Sequence, residues 1–316
     1  MNRARCLAGL AAASAAASPL ASIAQAQLAT LRIAHVAVAD AVPYEYAVQQ
    51  GWFAQAGLDI KADLLASGSA AATAGGGGAV DIGSSNLFTA VQARAKGIPV
   101  VIVAPGGRYE EATPTSQLLV AADSPIKSGK DLEGRTVAVA GLNDMSSLSV
   151  RAWVTSTGGD PTKVKYIETP MSTMLGLIQE HHVDAIFVSE PALGSAEASG
   201  LTRRLAITYA AIAKHFFTSV WITTAGFAAQ HRDLALKFAD VIHRATVYTN
   251  GHYAEAVPLI SAYTKLPLET LRSMHQIKGG TTLVAEDVQP MIDIAAKYGA
   301  ISAPFSARDM MLAGAP

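Results

Sequence analysis

Apolar and polar positions alternate in short runs along the first two-thirds of the chain, with stretches of helical spacing between them. Leu31 to Val38 predicts a strand that runs into the loop Ala39-Asp40-Ala41-Val42-Pro43, with a helix from about Tyr44. Leu58, Ile60, Ala62 and Leu64 alternate with Asp59, Lys61 and Asp63, the period of a half-buried strand. Ser67-Gly68-Ser69 offers an N-cap to an alanine-rich helix that Gly75 to Gly78 ends. Val80 to Gly83 predicts a short strand, Ser84-Ser85-Asn86 a cap for the next helix, and Val100 to Val103 a buried strand. This alternation predicts an α/β layer fold with a largely parallel sheet.

The Gly/Pro/Thr-rich stretch Pro105 to Ser116 breaks the rhythm and reads as a first crossing between two lobes. Strands are then predicted at Gln117–Ala121, Thr136–Ala140, Val164–Ile167 and Ala185–Val188. Between them lie the loop Gly141-Leu142-Asn143-Asp144, a helix from Ser146 or Ser147, and a helix over Met171–Glu180. Ser189-Glu190-Pro191 closes the last of these strands, with Pro191 placed to begin a helix. Val220–Thr223 is the final strand, and helical spacing follows over 232–248, 254–263, 268–274 and 286–298. Val80-Asp81-Ile82 and Val183-Asp184-Ala185 echo each other, as two lobes of like construction would.

The 316 residues suffice for two domains, and half of them are hydrophobic against 16% charged, so the chain can bury a large core. A net charge of -1 gives no footprint for nucleic acid. The first 26 residues differ from the rest: Arg3 and Arg5, then a run of small and apolar residues, then Ala24-Gln25-Ala26. This is the pattern of a secretory signal cleaved before Gln27. Cys6 is the only cysteine and sits far from the cleavage point, so the mature protein is expected to be unlipidated and without disulfides. It is also expected to have no thiolate for catalysis, zinc or iron–sulfur chemistry, and no cofactor.

Ligands of open α/β sheets bind beyond the carboxyl ends of the strands. The loops there are rich in small polar residues: Ser67, Gly68 and Ser69; Ser84, Ser85 and Asn86; Gly141, Leu142 and Asn143 with Ser146 and Ser147; then Glu190 and Thr218. Helix N-termini of this kind can hold a sulfonate, carboxylate or nitrate through backbone N–H groups. The same residues also suit plain N-capping. Asp40 and Glu190 would repel an anion but suit the amine of a zwitterion; a turn residue and a cap or hinge contact are their structural alternatives. Tyr44, Phe88 and Tyr109 fit either the wall of a ligand site or the core, and Arg108 either an acid group or the surface. His181-His182 lacks the spacing of metal ligands, and Gly75–Gly78 lacks the Lys-Ser/Thr of a phosphate loop. No Gly-x-Ser-x-Gly or His-Glu-x-x-His motif occurs, and no catalytic residue is assigned.

Several segments together resemble the periplasmic binding proteins of the nitrate/sulfonate/taurine type, a superfamily that includes thiamine-pyrimidine-binding proteins. They are Gly51-Trp52-Phe53 with Ala56 to Ile60, Val80 to Gly83, Lys96 to Pro99, Asp123 to Lys127, Asp131 to Val139, and Val183-Asp184-Ala185 with Glu190-Pro191. The resemblance implies a two-lobed α/β, class II binding-protein fold, with residues 27–112 and 219–316 in one lobe and 113–218 in the other. It implies a monomer that closes over a small anionic or zwitterionic solute and delivers it to an ABC permease in the inner membrane. A thiamine pyrimidine or an aromatic carboxylate is the alternative solute. A pyrimidine-synthase-like enzyme, whose relatives use a cysteine-rich iron motif that this chain lacks, and a receptor-coupled sensor are the alternative roles.

Overall fold

Two five-stranded mixed sheets organise the residues that the computed structural model describes, 28–316 apart from Ala66. The expected leader lies outside the described residues. The first sheet holds β1 (Ala29–His35), β2 (Leu58–Leu64), β3 (Ile82–Asn86) and β4 (Val100–Pro105). The second holds β6 (Ser116–Ala121), β7 (Thr136–Val139), β8 (Lys165–Glu168), β9 (Ala185–Ser189) and β10 (Thr202–Ala206), in the order β10-β6-β9-β7-β8. A short antiparallel ribbon of β5 (Arg108–Glu110) and β11 (His215–Phe217) lies where the chain passes from one sheet to the other and back. The chain then re-enters the first sheet as β12 (Ser219–Thr224), completing the order β2-β1-β3-β12-β4.

Twelve α-helices flank these sheets among the described residues: α1 (Val42–Gln49), α2 (Trp52–Gln55), α3 (Gly68–Gly76), α4 (Leu87–Ala95), α5 (Met145–Ser156), α6 (Met171–Gln179), α7 (Ala192–Ala198), α8 (Ala225–Gln230), α9 (Arg232–Gly251), α10 (Tyr253–Thr264), α11 (Leu268–Ser273) and α12 (Gln289–Lys297). The architecture is the bilobed α/β class II binding-protein fold.

The sheets are mixed rather than largely parallel. β1 pairs in parallel with β2 and β3, and β7 with β8 and β9. β12, however, runs antiparallel between β3 and β4, and β6 runs antiparallel to both β9 and β10. β12 arrives from the second sheet without a crossover helix of its own, so it enters from the opposite end. Its pairing also draws Ser84, Ser85 and Asn86 into β3, where local preference alone predicts a capping loop: Trp221 lies opposite Ser84 and Ser219 opposite Asn86.

The first core packs Leu31, Ile33, Ile82, Phe53, Trp221 and Phe238 around β1, β3 and β12. Its tightest point is glycine on glycine. A Cβ on Gly75 would lie 2.5 Å from the Gly83 nitrogen, and one on Gly83 would lie 2.4 Å from the Ala71 carbonyl oxygen. The α3 backbone therefore rests directly on β3. At the ribbon, Tyr109, Tyr209, Phe216 and Phe187 pack in tilted and edge-to-face pairs with centroids 5.2–5.5 Å apart. Beside them Arg108 donates to the buried Asp287 carboxylate at 2.7 and 3.2 Å, and His215 Nδ1 contacts the same group.

Candidate ligand-binding site

A cavity of about 560 Å³ opens where β1 and β3 end and β12 begins, within the size range of small-molecule sites. One wall is the segment Val36–Ala41 that follows β1. Gly68 at the start of α3 and Ser84-Ser85-Asn86 at the end of β3 form the floor, with Thr218–Trp221 beside them. Leu266 and Ile277, from the chain after α10 and after α11, add apolar surface. Glu190 and Pro191, at the end of β9, bring the second sheet to the same space.

The hydroxyls of this site differ in how they are used. Ser85 donates to the Asn86 carbonyl at 2.8 Å, and Asn86 Oδ1 caps α4 by accepting from Thr89 N–H at 2.7 Å. The Ser84 hydroxyl is buried in the wall and bonds to no other group among the described residues. A buried polar atom without a partner is costly, so it is a ready contact for a bound molecule.

Asp40 is half-buried in the 3-10 turn before α1. Ser219 Oγ donates to its Oδ2 at 2.5 Å while accepting from Gly107 N–H at 2.7 Å. Burial pushes the Asp40 carboxyl above the usual carboxylate range, and the Ser219 bond opposes that rise. The close approach needs Gly106 and Gly107: a Cβ there would lie 2.3 Å from Ser219 Oγ in the first case and 2.7 Å from Thr218 Oγ1 in the second.

The Glu190 side chain is wholly buried and has protein partners on both oxygens. Gly194 N–H donates to Oε2 at 3.2 Å within its own lobe. The His275 N–H and ring reach Oε1 at 3.0 and 2.8 Å from the chain after α11. Glu190 thus ties the segment after β9 to the C-terminal helices beside the cavity.

Of the residues singled out from the sequence, Asp40, Gly68, Ser84, Ser85, Asn86, Glu190 and Thr218 come together on this cavity. Others are placed elsewhere. Tyr44 is buried in the core, its ring against His35, Trp221 and Phe53 at 4.8, 5.0 and 5.7 Å, and burial pushes its hydroxyl far above the usual range. Ser67 caps α3 by accepting from Ala70 N–H at 3.2 Å and pairs with Ser69 at 3.1 Å. Gly141, Leu142 and Asn143 form the loop between β7 and α5, off the cavity wall. Ser146 and Ser147 are buried in the cap of α5, where Asp144 accepts from both N–H groups at 2.8 and 3.2 Å and Ser147 donates to the Leu142 carbonyl at 2.8 Å. Phe88 and Tyr109 are core residues, and Arg108 is held by Asp287.

Sequence reasoning passed over Val36–Ala39, Ser219, Trp221, Leu266 and Ile277. Ser219 carries a local signal, as the polar neighbour of Thr218 at a strand start. Leu266 and Ile277 carry none, because only the return of the C-terminal helices brings them to the site.

Among the described residues no group of three His, Cys, Asp or Glu side chains is arranged to hold a metal ion, and no helix is long and apolar enough to cross a membrane.

Comparison with solved structures finds the same fold. The periplasmic aliphatic sulphonate binding protein SsuA from Escherichia coli superposes with a TM-score of 0.74 at 18% identity, over 89% of this chain and 91% of that one. The alkanesulfonate-binding protein SsuA from Xanthomonas axonopodis pv. citri, bound to MOPS, gives 0.65 at 15% identity over 92% and 98%. The desulfurization enzyme DSZB also gives 0.65, at 13% identity over 90% and 96%, so the fold serves both binding and catalysis. A search among curated proteins finds no match. The family profile described as NMT1/THI5 like matches residues 39–256, more than half of the sequence, and the chain belongs to that family.

Proposed function

We propose that the protein is an extracytoplasmic solute-binding component of an ABC importer, which captures a small organic acid by closing two lobes over it. The observation that carries this reading is the cavity itself. It lies between elements of both sheets, is walled largely by Val36, Val38, Trp221, Leu266 and Ile277, and holds the unpartnered Ser84 hydroxyl. Apolar walls with few directional polar groups suit an organic body carrying one acid group better than a bare inorganic anion. The similarity to two sulfonate-binding proteins supports the same solute class.

In this reading residues 27–112 and 219–316 form one lobe and 113–218 the other, hinged at the β5–β11 ribbon. The protein works in the periplasm after export through its N-terminal segment, acts as a monomer, and hands the solute to an inner-membrane permease. Binding is preferred over catalysis because the one cysteine, Cys6, falls in the expected leader and no acid–base–nucleophile set lines the cavity. A second reading, a zwitterion such as taurine or an amine-bearing heterocycle, is favoured by the two acidic residues that line the cavity, Asp40 and Glu190.

A thermal-shift screen tests the assignment, with alkyl and aryl sulfonates, taurine, nitrate, aromatic carboxylates and thiamine pyrimidines. A solute at about 100 times its dissociation constant adds about 2.7 kcal/mol of stability, a readily visible shift. A sulfonate or carboxylate hit is the expected outcome. A response only to amine-bearing heterocycles would transfer the assignment to the second reading, and no response across the panel would contradict both.

A further inference from the structure

The charge of the cavity is at odds with an acid solute. Two acidic residues, Asp40 and Glu190, line it, and no lysine, arginine or histidine does. Glu190 is already satisfied by His275 and by the Gly194 N–H. Asp40 has no such compensation and takes part in no ion pair among the described residues.

The bonds around Asp40 set the direction of its hydrogen bonding. Ser219 Oγ accepts from Gly107 N–H and donates its own proton to Asp40 Oδ2. Oδ2 is therefore an acceptor. Asp40's own backbone N–H also bonds the carboxylate, Oδ1 has no bond to another residue among the described ones, and Asp40 lines the cavity. An ionised Oδ1 facing a solute anion would be repelled, whereas a protonated one is a donor.

We propose that Asp40 carries a proton in the complex and donates it from Oδ1 to the acid group of the solute, so that an anion enters this cavity only together with a proton. The inference rests on the organic-acid reading above. Its chemistry is that of two acid groups sharing one proton because both cannot stay ionised side by side. The only bond made is the O–H on Asp40: solvent or buffer gives up the proton on binding and recovers it on release. Burial raises the Asp40 carboxyl above the usual carboxylate range, the direction that eases this proton uptake.

The other titratable groups near this point are accounted for. From α10, the Tyr263 hydroxyl donates to the Val38 carbonyl at 2.7 Å, burial holds it protonated, and Tyr253 stands next to it. From α1, Glu45 is raised by burial and lies 3.6 Å from His35 Nε2. Glu190 and His275 face the cavity region from the other side as a bonded pair. Of all these, only Asp40 and Glu190 line the cavity.

The experiment is calorimetric titration of the purified protein and of Asp40→Asn with hexanesulfonate, benzenesulfonate and taurine. It runs from about pH 5 to about pH 8, a range in which sulfonates stay ionised and do not add a titration of their own. For hexanesulfonate or benzenesulfonate the wild-type affinity is expected to fall as pH rises, approaching about tenfold per unit. Repeats in two buffers of unlike ionisation enthalpy should show net proton uptake. Asp40→Asn, which offers a permanent N–H donor, should keep the low-pH affinity across the range with no proton uptake. A pH profile unchanged by the substitution, or wild-type binding without proton uptake, overturns the role of Asp40 and leaves the organic-acid reading standing. Taurine binding that strengthens with pH and is lost in Asp40→Asn overturns it in favour of an ionised Asp40 holding an amine. No binding of any probe to either protein at any pH removes the inference and the organic-acid reading together.

Discussion

At the scale of single residues, the proposed site offers groups that the fold leaves unused. The Ser84 hydroxyl has no structural bond to lose, unlike Ser85, Ser146 and Ser147. Ser84→Ala should therefore leave the melting temperature unchanged or slightly raised while weakening solute binding by about 1.5–3 kcal/mol, roughly ten- to hundredfold. A drop in stability with unchanged affinity, measured by thermal melts and titration, would make Ser84 a packing residue. His35 gives a pH signature of a different kind. It is buried against Tyr44, and burial lowers its pKa. The folded state then binds fewer protons there than the unfolded state, so stability is full above about pH 6.5 and declines as pH falls from that value toward the lowered one. Urea midpoints at about pH 7.5 and about pH 5.5 should differ more in the wild type than in His35→Phe. At this scale the sequence was a mixed guide. Local polarity found Ser84, Asn86 and Thr218, because polar residues at strand ends are visible in a row of letters. It could not tell a cap from a contact: Ser146 and Ser147 read the same as Ser84, and only the Asp144 cap separates them.

At the scale of elements, the site depends on two close approaches. One is α3 on β3 through Gly75 and Gly83, which aims the start of α3 at the cavity. The other is the tie from the end of β9 to the segment after α11 through Glu190 and His275. His275→Ala removes the ring contact but keeps the backbone one. His275 is partly exposed, so its contact is screened by water, and the expected effect is about 1 kcal/mol, or about fivefold, in solute affinity. It should fall mainly on the release rate, because the tie holds together elements on both sides of the cavity. Stopped-flow release rates equal to wild type would show that the tie is independent of closure. Strands and helices were largely legible from periodicity: β2 was predicted with its observed limits, and β9, α6 and α10 within a residue or two. The ribbon of β5 and β11 was not. Three-residue strands carry no period, and theirs exist because residues 108–110 and 215–217 meet after more than a hundred intervening positions.

At the scale of the whole molecule, the alternation of strand and helix and the break after Pro105 pointed to a two-lobed α/β fold. What the pattern missed was the mixed sense of both sheets, since strand direction follows from chain path and not from local composition. The same path carries Leu266 and Ile277 to a cavity that begins at Val36. The proposed function amounts to reversible capture of one organic acid without chemistry. Isothermal titration of the purified protein with the strongest solute of the panel tests it most directly, because heat reports binding and turnover alike. The heats are expected to return to baseline after every injection and to saturate at one solute per chain. Heat that persists after each injection would reveal turnover, and a titration that never saturates would deny a specific site; either would contradict it.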